Sequence, residues 1–339
     1  MKNFRMGILG TGNIARQFAE GVAGSRRCTL RAVASRSLES ARRFADTHGI
    51  EKSHAYGSYA ELLDDGDLDG VYVALPNTLH HQWTIRACEA GLHVLCEKPL
   101  AVNREEAAEM FEAARSARRL LMEAFMYRCH PQTRAVVHAV RSGTIGTVKQ
   151  VRTSFCYRTK NLDDNIRFNA DLAGGAMMDI GCYCVDFARL IAGEEPSEIV
   201  ARSVQHASGV DERTTGLLRF PGGMDATFAC AMTMQADNTA WVMGDEGYLE
   251  VPVPWKPAQR GAVWRWRSMT PPRQDAGKGG SGPFVEAYTE DADAPLFGLE
   301  ADAFAAAALG EAEPMVSEAD SLGNAAVLDA VREMMQGTD

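Results

Sequence analysis

The stretch FRMGILGTGNIARQFAEGV, residues 4–22, passes from a short apolar strand into a helix through Gly10-x-Gly12-x-x-Ala15. No other feature narrows the folds open to this chain as much. Glycine at 10 permits a tight turn, glycine at 12 clears a side chain from the path of a pyrophosphate, and Ala15 keeps the helix close to its sheet. A helix that opens here offers unbonded N–H groups and a partial positive charge to phosphates, which makes Gly10, Thr11, Gly12, Asn13 and Ile14 candidate cofactor-binding residues. The same glycines can also serve a turn alone, so the motif draws its weight from the segments on its C-terminal side. CTLRAVASR (28–36), GVYVAL (70–75) and HVLCEKP supply further strands, and SLESARRFADTHG and HHQWTIRACEAG supply helices between them. Such βαβ alternation predicts an α/β fold whose N-terminal part is a Rossmann dinucleotide-binding domain with a mostly parallel sheet.

The end of the second strand bears on which dinucleotide fits. A site for NAD(H) usually places Asp or Glu there to accept ribose hydroxyls. Here the residues are Ser35 and Arg36. A guanidinium forks onto a 2′-phosphate, with Ser35 and Ser37 as extra donors, so NADP(H) is favoured and NAD(H) is the alternative. The plain alternative for Arg36 is a solvated arginine opening a helix. PNTLHH, beyond the third strand, and EKP, beyond the fourth, lie at the strand ends where cofactors bind, which adds Pro76, Asn77, His80, Glu97 and Lys98. Pro99 biases Lys98 toward an extended backbone and so holds its ammonium in place.

After the amphipathic helix 103–120 and the strand-like LMEAFMY, the pattern changes. TVKQVRTSFCY, SEIVARSVQHA, ERTTGLLRFPGG, MDATFACAMTM and NTAWVMGDEGYLEV are extended segments separated by turns. They predict a C-terminal α+β domain with a large, mostly antiparallel open sheet. The domains are expected at 1–124 and 125–339, the second for substrate binding and oligomerisation. A helical stretch over 173–192 interrupts the strands, residues 252–298 show no clear period, and helices over 299–309 and 318–336 close the chain.

With 339 residues the chain is long enough for two domains. A net charge of −10 argues against non-specific binding to nucleic acid or anionic membrane. No apolar run reaches the roughly 18 residues of a membrane span. The N-terminus lacks the long apolar core of a secretory signal, so a cytoplasmic location is expected. Eight cysteines are too dilute for a disulfide scaffold and read as reduced, buried residues.

GILGTGNIAR, LPNTLHHQWTIRACEAGLHVLCEKPL, EAFMYRCHP and GGAMMDIGCYCVD together resemble the glucose–fructose oxidoreductase, inositol dehydrogenase and rhizopine-catabolism (Gfo/Idh/MocA) family. The chain is most similar to its glucose–fructose oxidoreductase, dihydrodiol dehydrogenase and xylose dehydrogenase branch. Inositol-dehydrogenase-like members commonly carry histidine where this chain has Tyr183. The resemblance implies that Lys98, Asp179 and Tyr183 surround a substrate carbonyl as the catalytic residues. It also implies hydride transfer between nicotinamide and a sugar, polyol or related cyclic substrate, and a homodimer or dimer of dimers built on the second sheet. An NAD(H)-dependent trans-dihydrodiol or aldose dehydrogenase, and a non-catalytic dinucleotide sensor or scaffold, are the alternatives.

GGAMMDIGCYCVDFARL, residues 174–190, condenses the chemical question. If the two glycines open a helix, Asp179, Tyr183 and Asp186 recur on one broad face. The Cys182-x-Cys184 pair has no second pair to complete a zinc site, so no metal is expected. Tyr183 then serves as proton donor, provided a cation such as Lys98 lowers a phenol whose ordinary pKa is about 10. Tyr127 and Arg128 border the expected nicotinamide and polyol pocket, Arg128 toward the cofactor and Tyr127 toward the substrate. Arg158, next to Tyr157, is a further substrate-binding candidate. His130, before Pro131, either joins them or ends the strand. Trp255, Trp264 and Trp266 either wall a sugar ring or form a structural loop.

Overall fold

In the computed structural model, which describes residues 4–160, 162, 165–269 and 284–336, the apolar runs of the first part form six strands. These are β1 (Phe4–Leu9), β2 (Cys28–Ala34), β3 (Ala55–Tyr56), β4 (Gly70–Val73), β5 (His93–Glu97) and β6 (Leu121–Ala124). They pair in parallel in the order β3-β2-β1-β4-β5-β6. The chain order reverses at β1/β4, which places a ligand crevice beyond the carboxyl ends of those strands. The helices between them are α1 (Asn13–Val22), α2 (Leu38–His48), α3 (Tyr59–Leu63), α4 (His80–Glu89) and α5 (Arg104–Ala117).

Local sequence sets their ends. The Ser37, Ser58 and Asn103 side chains cap α2, α3 and α5 by accepting N–H groups three residues on. Left-handed Gly49 and Arg118 terminate α2 and α5. Because helices cover the sheet, β4 is buried along its whole length, and Val71, Val73, Val94, Leu62 and Met110 share one core. Each such side chain contributes about 2 kcal/mol.

The second sheet begins after α6 (Pro131–Arg141) with β7 (Val148–Cys156). A π-helical turn, Met177–Gly181, then runs into α7 (Cys182–Ala192). There follow β8 (Glu198–Gln205), β9 (Asp211–Arg219), β10 (Asp225–Ala231), β11 (Ala240–Gly244), β12 (Tyr248–Val251), β13 (Ala262–Ser268) and β14 (Phe284–Glu290). The sheet order is β14-β13-β12-β11-β7-β10-β9-β8, antiparallel except for the β7–β10 pair. Part of the stretch 252–298 that shows no clear period in the sequence is therefore ordered. Trp264 and Trp266 lie two residues apart on the buried face of β13, while residues 270–283 lie outside the described residues.

The chain closes with α8 (Leu296–Ala308) and α9 (Glu318–Gln336). Here the units depart from the expected 124/125 division. The first comprises Met1–Cys129, Asp171–Ala173 and Asp293–Ala326; the second comprises His130–Ala170, Gly174–Ala292 and Val327–Asp339. Helix α8 rejoins the first unit because small residues let it press onto α1. A Cβ at Gly21 would stand 2.6 Å from that of Phe297, and one at Gly298 would stand 2.7 Å from the Gly21 carbonyl. No described helix is long and apolar enough to cross a membrane.

Candidate active site

The first unit presents a phosphate cradle. Gly10 takes φ +108°, and a Cβ there would meet the Ala74 carbonyl at 2.4 Å, so the turn needs glycine. Gly12 caps α1 without any side-chain bond, and a Cβ on it would meet nothing within 4 Å. The first bond within the helix runs from Arg16 N–H to the Gly12 carbonyl. The Asn13, Ile14 and Ala15 N–H groups therefore lack helical acceptors, and no acidic residue occupies the first turn. An open, donor-rich helix end of this kind suits a dinucleotide diphosphate.

Just past β2, Ser35 is buried and its hydroxyl accepts from Thr11 at 3.3 Å. Arg36 is exposed and forms no ion pair among the described residues. Ser37 is occupied in capping α2. The strand end thus offers an unpaired guanidinium and no carboxylate, a donor set that fits an added phosphate.

The loop after β5 is tied at several points. Glu97 accepts the Tyr72 hydroxyl on one oxygen and the Lys98 N–H at 3.2 Å on the other. Glu123 accepts the Leu100 N–H at 2.9 Å. Half-buried Lys98 is therefore carried on an anchored backbone. His80 is fully buried, with its two ring nitrogens 2.9 Å from the Pro99 and Leu75 carbonyls. It braces the two loops that carry Pro76 and Lys98 rather than facing a ribose, and burial pushes its pKa down. Half-buried Pro76 precedes a short helical turn in which Asn77 Nδ2 donates to the Ala173 carbonyl at 2.8 Å.

Two candidates lie deeper than expected. Tyr127 is fully buried, edge-on to Phe125 with ring centres 6.1 Å apart. Arg128 is 4% exposed, paired with Asp320 at 3.2 Å. Burial opposes the Asp320 charge, but Arg128 and the Ser317 hydroxyl outweigh it and hold Asp320 below its ordinary pKa.

The second unit carries the other expected residues. Gly175 sits at φ +117°, before the helix rather than within it. The π-turn comes next, with Cys182 N–H bonded to the Met177 carbonyl five residues back. Asp179 lies in that turn and Tyr183 in the first turn of α7, so regular i, i+4 spacing does not relate them. Asp179 Oδ2 accepts the Tyr157 hydroxyl at 2.5 Å and Arg167 Nε at 2.9 Å. Burial, and then the Asp179 charge, push the Tyr157 pKa far above its ordinary value, so this phenol donates and does not ionise. Tyr183 is 4% exposed, its ring packed edge-on to Phe155 at 5.4 Å and Trp255 at 6.0 Å. Trp255 is itself fixed by its Nε1–H to the Ser154 carbonyl at 2.8 Å.

Arg158 is exposed and its backbone bridges to Thr233. His130 caps α6 and contacts the Ala258 carbonyl at 3.1 Å, which makes it an end-of-segment brace. All eight cysteines are buried, and burial pushes Cys184 up to about 12. The described residues contain no cluster of three or more His, Cys, Asp or Glu able to hold a metal ion. Arg167 is the residue that sequence reasoning missed. It precedes Asp179 by twelve positions in an irregular segment, so no period links the two.

Residues 4–125 match the model of an oxidoreductase family with an NAD-binding Rossmann fold, and residues 133–250 match the GFO/IDH/MocA C-terminal domain. A D-xylose 1-dehydrogenase (NADP(+)) of Haloferax volcanii is 39% identical over 244 residues, 72% of this chain and 74% of its own. A trans-1,2-dihydrobenzene-1,2-diol dehydrogenase of Mus musculus is 35% identical over 79% of this chain and 80% of its own. The crystal structure of KijD10, a 3-ketoreductase from Actinomadura kijaniata with NADP and TDP-benzene, superposes with a TM-score of 0.85. It is 33% identical and covers 98% of each chain.

Proposed function

The chain belongs to the GFO/IDH/MocA oxidoreductase family, and from that premise we propose that it is an NADP(H)-dependent enzyme acting on a sugar, polyol or related cyclic alcohol or carbonyl. The observation that carries the cofactor choice is the end of β2, where an unpaired Arg36 stands in place of a carboxylate. The substrate class is supported by the relatives, which are named as acting on xylose and dihydrodiols.

The Asn13–Ala15 N–H groups hold the diphosphate, and Arg36 holds the 2′-phosphate. Bound there, the nicotinamide supplies or accepts the hydride. Lys98 stabilises the negative charge that develops on the substrate oxygen. Tyr183 supplies that oxygen's proton in reduction and accepts it in oxidation. Asp179, oriented by Tyr157 and Arg167, holds a neighbouring substrate hydroxyl.

The assembly is a homodimer or dimer of dimers formed through the second sheet, where Val200 and Val204 of β8 are 51% and 41% exposed. The protein acts in the cytoplasm. Sedimentation velocity at micromolar concentration tests the assembly, and a concentration-independent monomer overturns it. The activity is tested by following nicotinamide absorbance in both directions over a panel of aldoses, ketoses, anhydrosugars and dihydrodiols. Turnover with NADP(H) is expected; cofactor binding with no redox change across the panel overturns the reading.

A further inference from the structure

Strand β9 begins with a carboxylate for which the proposed reaction has no direct use. Asp211 is 6% exposed, and its Oδ2 accepts the Met177 N–H at 2.9 Å and the Thr214 hydroxyl at 2.7 Å. The Ala176 N–H also bonds to it. Ala176 and Met177 are the residues from which the π-turn departs. Their N–H groups have no acceptor within the helix, and a buried carboxylate delivered from the sheet satisfies them.

The surroundings make room for this contact. A Cβ at Gly175 would stand 2.2 Å from Asp211 Oδ1, so the carboxylate reaches the turn only past a glycine. At the other end of the turn, a Cβ at Gly181 would stand 2.6 Å from Met177 Sδ and 2.9 Å from Cys230 Sγ of β10. The π-turn is thus pinned at its start by Asp211 and pressed against the sheet at its end. A π-turn is less favourable than a regular helix and persists where its surroundings enforce it. Relaxing it to α-helical bonding would rotate Asp179 relative to Tyr183 and carry its carboxylate away from Tyr157 and Arg167.

We propose that Asp211 is a positioning residue: by clamping the first N–H groups of the π-turn, it holds Asp179 in its working orientation relative to Tyr183. It touches neither substrate nor cofactor. The role rests on the assignment of Asp179 and Tyr183 as catalytic residues.

The test combines amide hydrogen exchange with steady-state kinetics on Asp211→Ala, Asp211→Asn and Thr214→Val. In Asp211→Ala, exchange is expected to rise in peptides spanning 176–183 and to stay unchanged in the first unit. The expected kinetic effect is a kcat reduced about 10- to 100-fold, with KM and NADPH affinity within about twofold of the parent. Asp211→Asn keeps an acceptor oxygen for the Met177 N–H and should recover most of the loss. If Asp211→Ala does not fold, Thr214→Val, which removes one bond holding the carboxylate, must show a smaller loss of kcat at parental NADPH affinity. Unchanged exchange at 176–183 overturns the clamp whatever the chemistry. Raised exchange with parental kcat overturns the positioning role. Asp179→Asn, run alongside, separates the two levels: if it too retains full turnover, the catalytic assignment fails, and the positioning role falls with it.

Discussion

Arg167 Nε lies 2.9 Å from Oδ2 of Asp179, the same oxygen that accepts the Tyr157 hydroxyl at 2.5 Å. One carboxylate oxygen therefore takes a charged donor and a neutral one, and the charged bond is the stronger. Arg167→Met is expected to lower kcat/KM about tenfold and Tyr157→Phe by less. Because both act on one oxygen, the double variant should lose less or more than the product of the single losses. Strict multiplicativity in steady-state assays would show that neither orients Asp179.

The two nearby phenols should separate cleanly. Tyr157 cannot act as a base while burial and Asp179 keep it protonated, so Tyr157→Phe stays within about tenfold of the parent. Tyr183→Phe should slow turnover by roughly 10²–10⁴-fold, the scale of lost acid–base catalysis. Lys98→Met should be comparably damaging, and its loss should not multiply with that of Tyr183→Phe. Cys182→Ala should retain activity, since its thiol is buried and donates to the Met178 carbonyl. Near-parental turnover in both Tyr183→Phe and Lys98→Met would remove the proposed chemistry.

Arg36→Ala removes an exposed guanidinium from the end of β2. NADPH affinity should fall about 10- to 100-fold and NADH affinity hardly change, because only the former loses a charge-assisted phosphate contact. Fluorescence titration of each cofactor checks this. Equal weakening of both, or a parental preference for NADH, would count against it.

Glu300, on α8, is fully buried, and neither of its oxygens has a hydrogen-bond partner among the described residues. Burial first, and the charge of Glu97 second, push its pKa well above the ordinary carboxylate value. The folded protein therefore keeps a proton that the unfolded chain releases. The stability linked to that proton is complete below the unfolded pKa and is lost as pH rises through the folded one. Asp211, pushed up to about 6 by burial, has the same sign. Glu300→Gln should raise the melting temperature by a few degrees at about pH 8 and flatten its fall as pH rises above the ordinary glutamate pKa of about 4.3. A slope unchanged from the parent would show that Glu300 is ionised in the folded state.

The first sheet was the most legible part of the chain. Strands covered on both faces must be apolar throughout, as GVYV is, and the phosphate turn declares itself through Gly10 and Gly12. The features that stayed hidden did so for physical reasons. Strand β3, two residues long, is too short to show a period. The π-turn has the composition of an α-helix, because a shift from four- to five-residue bonding is set by what packs around it. Arg167 and Asp211 reach the segment around Asp179 from an irregular stretch and from a different strand, and His80 reads as a cofactor ligand until its carbonyl partners are seen. The return of α8 to the first unit depends on glycines in two helices far apart in sequence.

The parallel pairing of β7 with β10 has a consequence in time. Cys156 pairs with Ala231, and between them lie the π-turn, α7 and the β8–β9 hairpin. Closing a loop of roughly 70 residues carries an entropic cost that local contacts do not repay until the pair has formed, and such non-local pairings are slow. The first sheet, in contrast, grows largely by adding neighbouring βα units. On dilution from denaturant, nucleotide binding should return before turnover, because the segment bearing Asp179 and Tyr183 takes its final form only when its flanking strands meet.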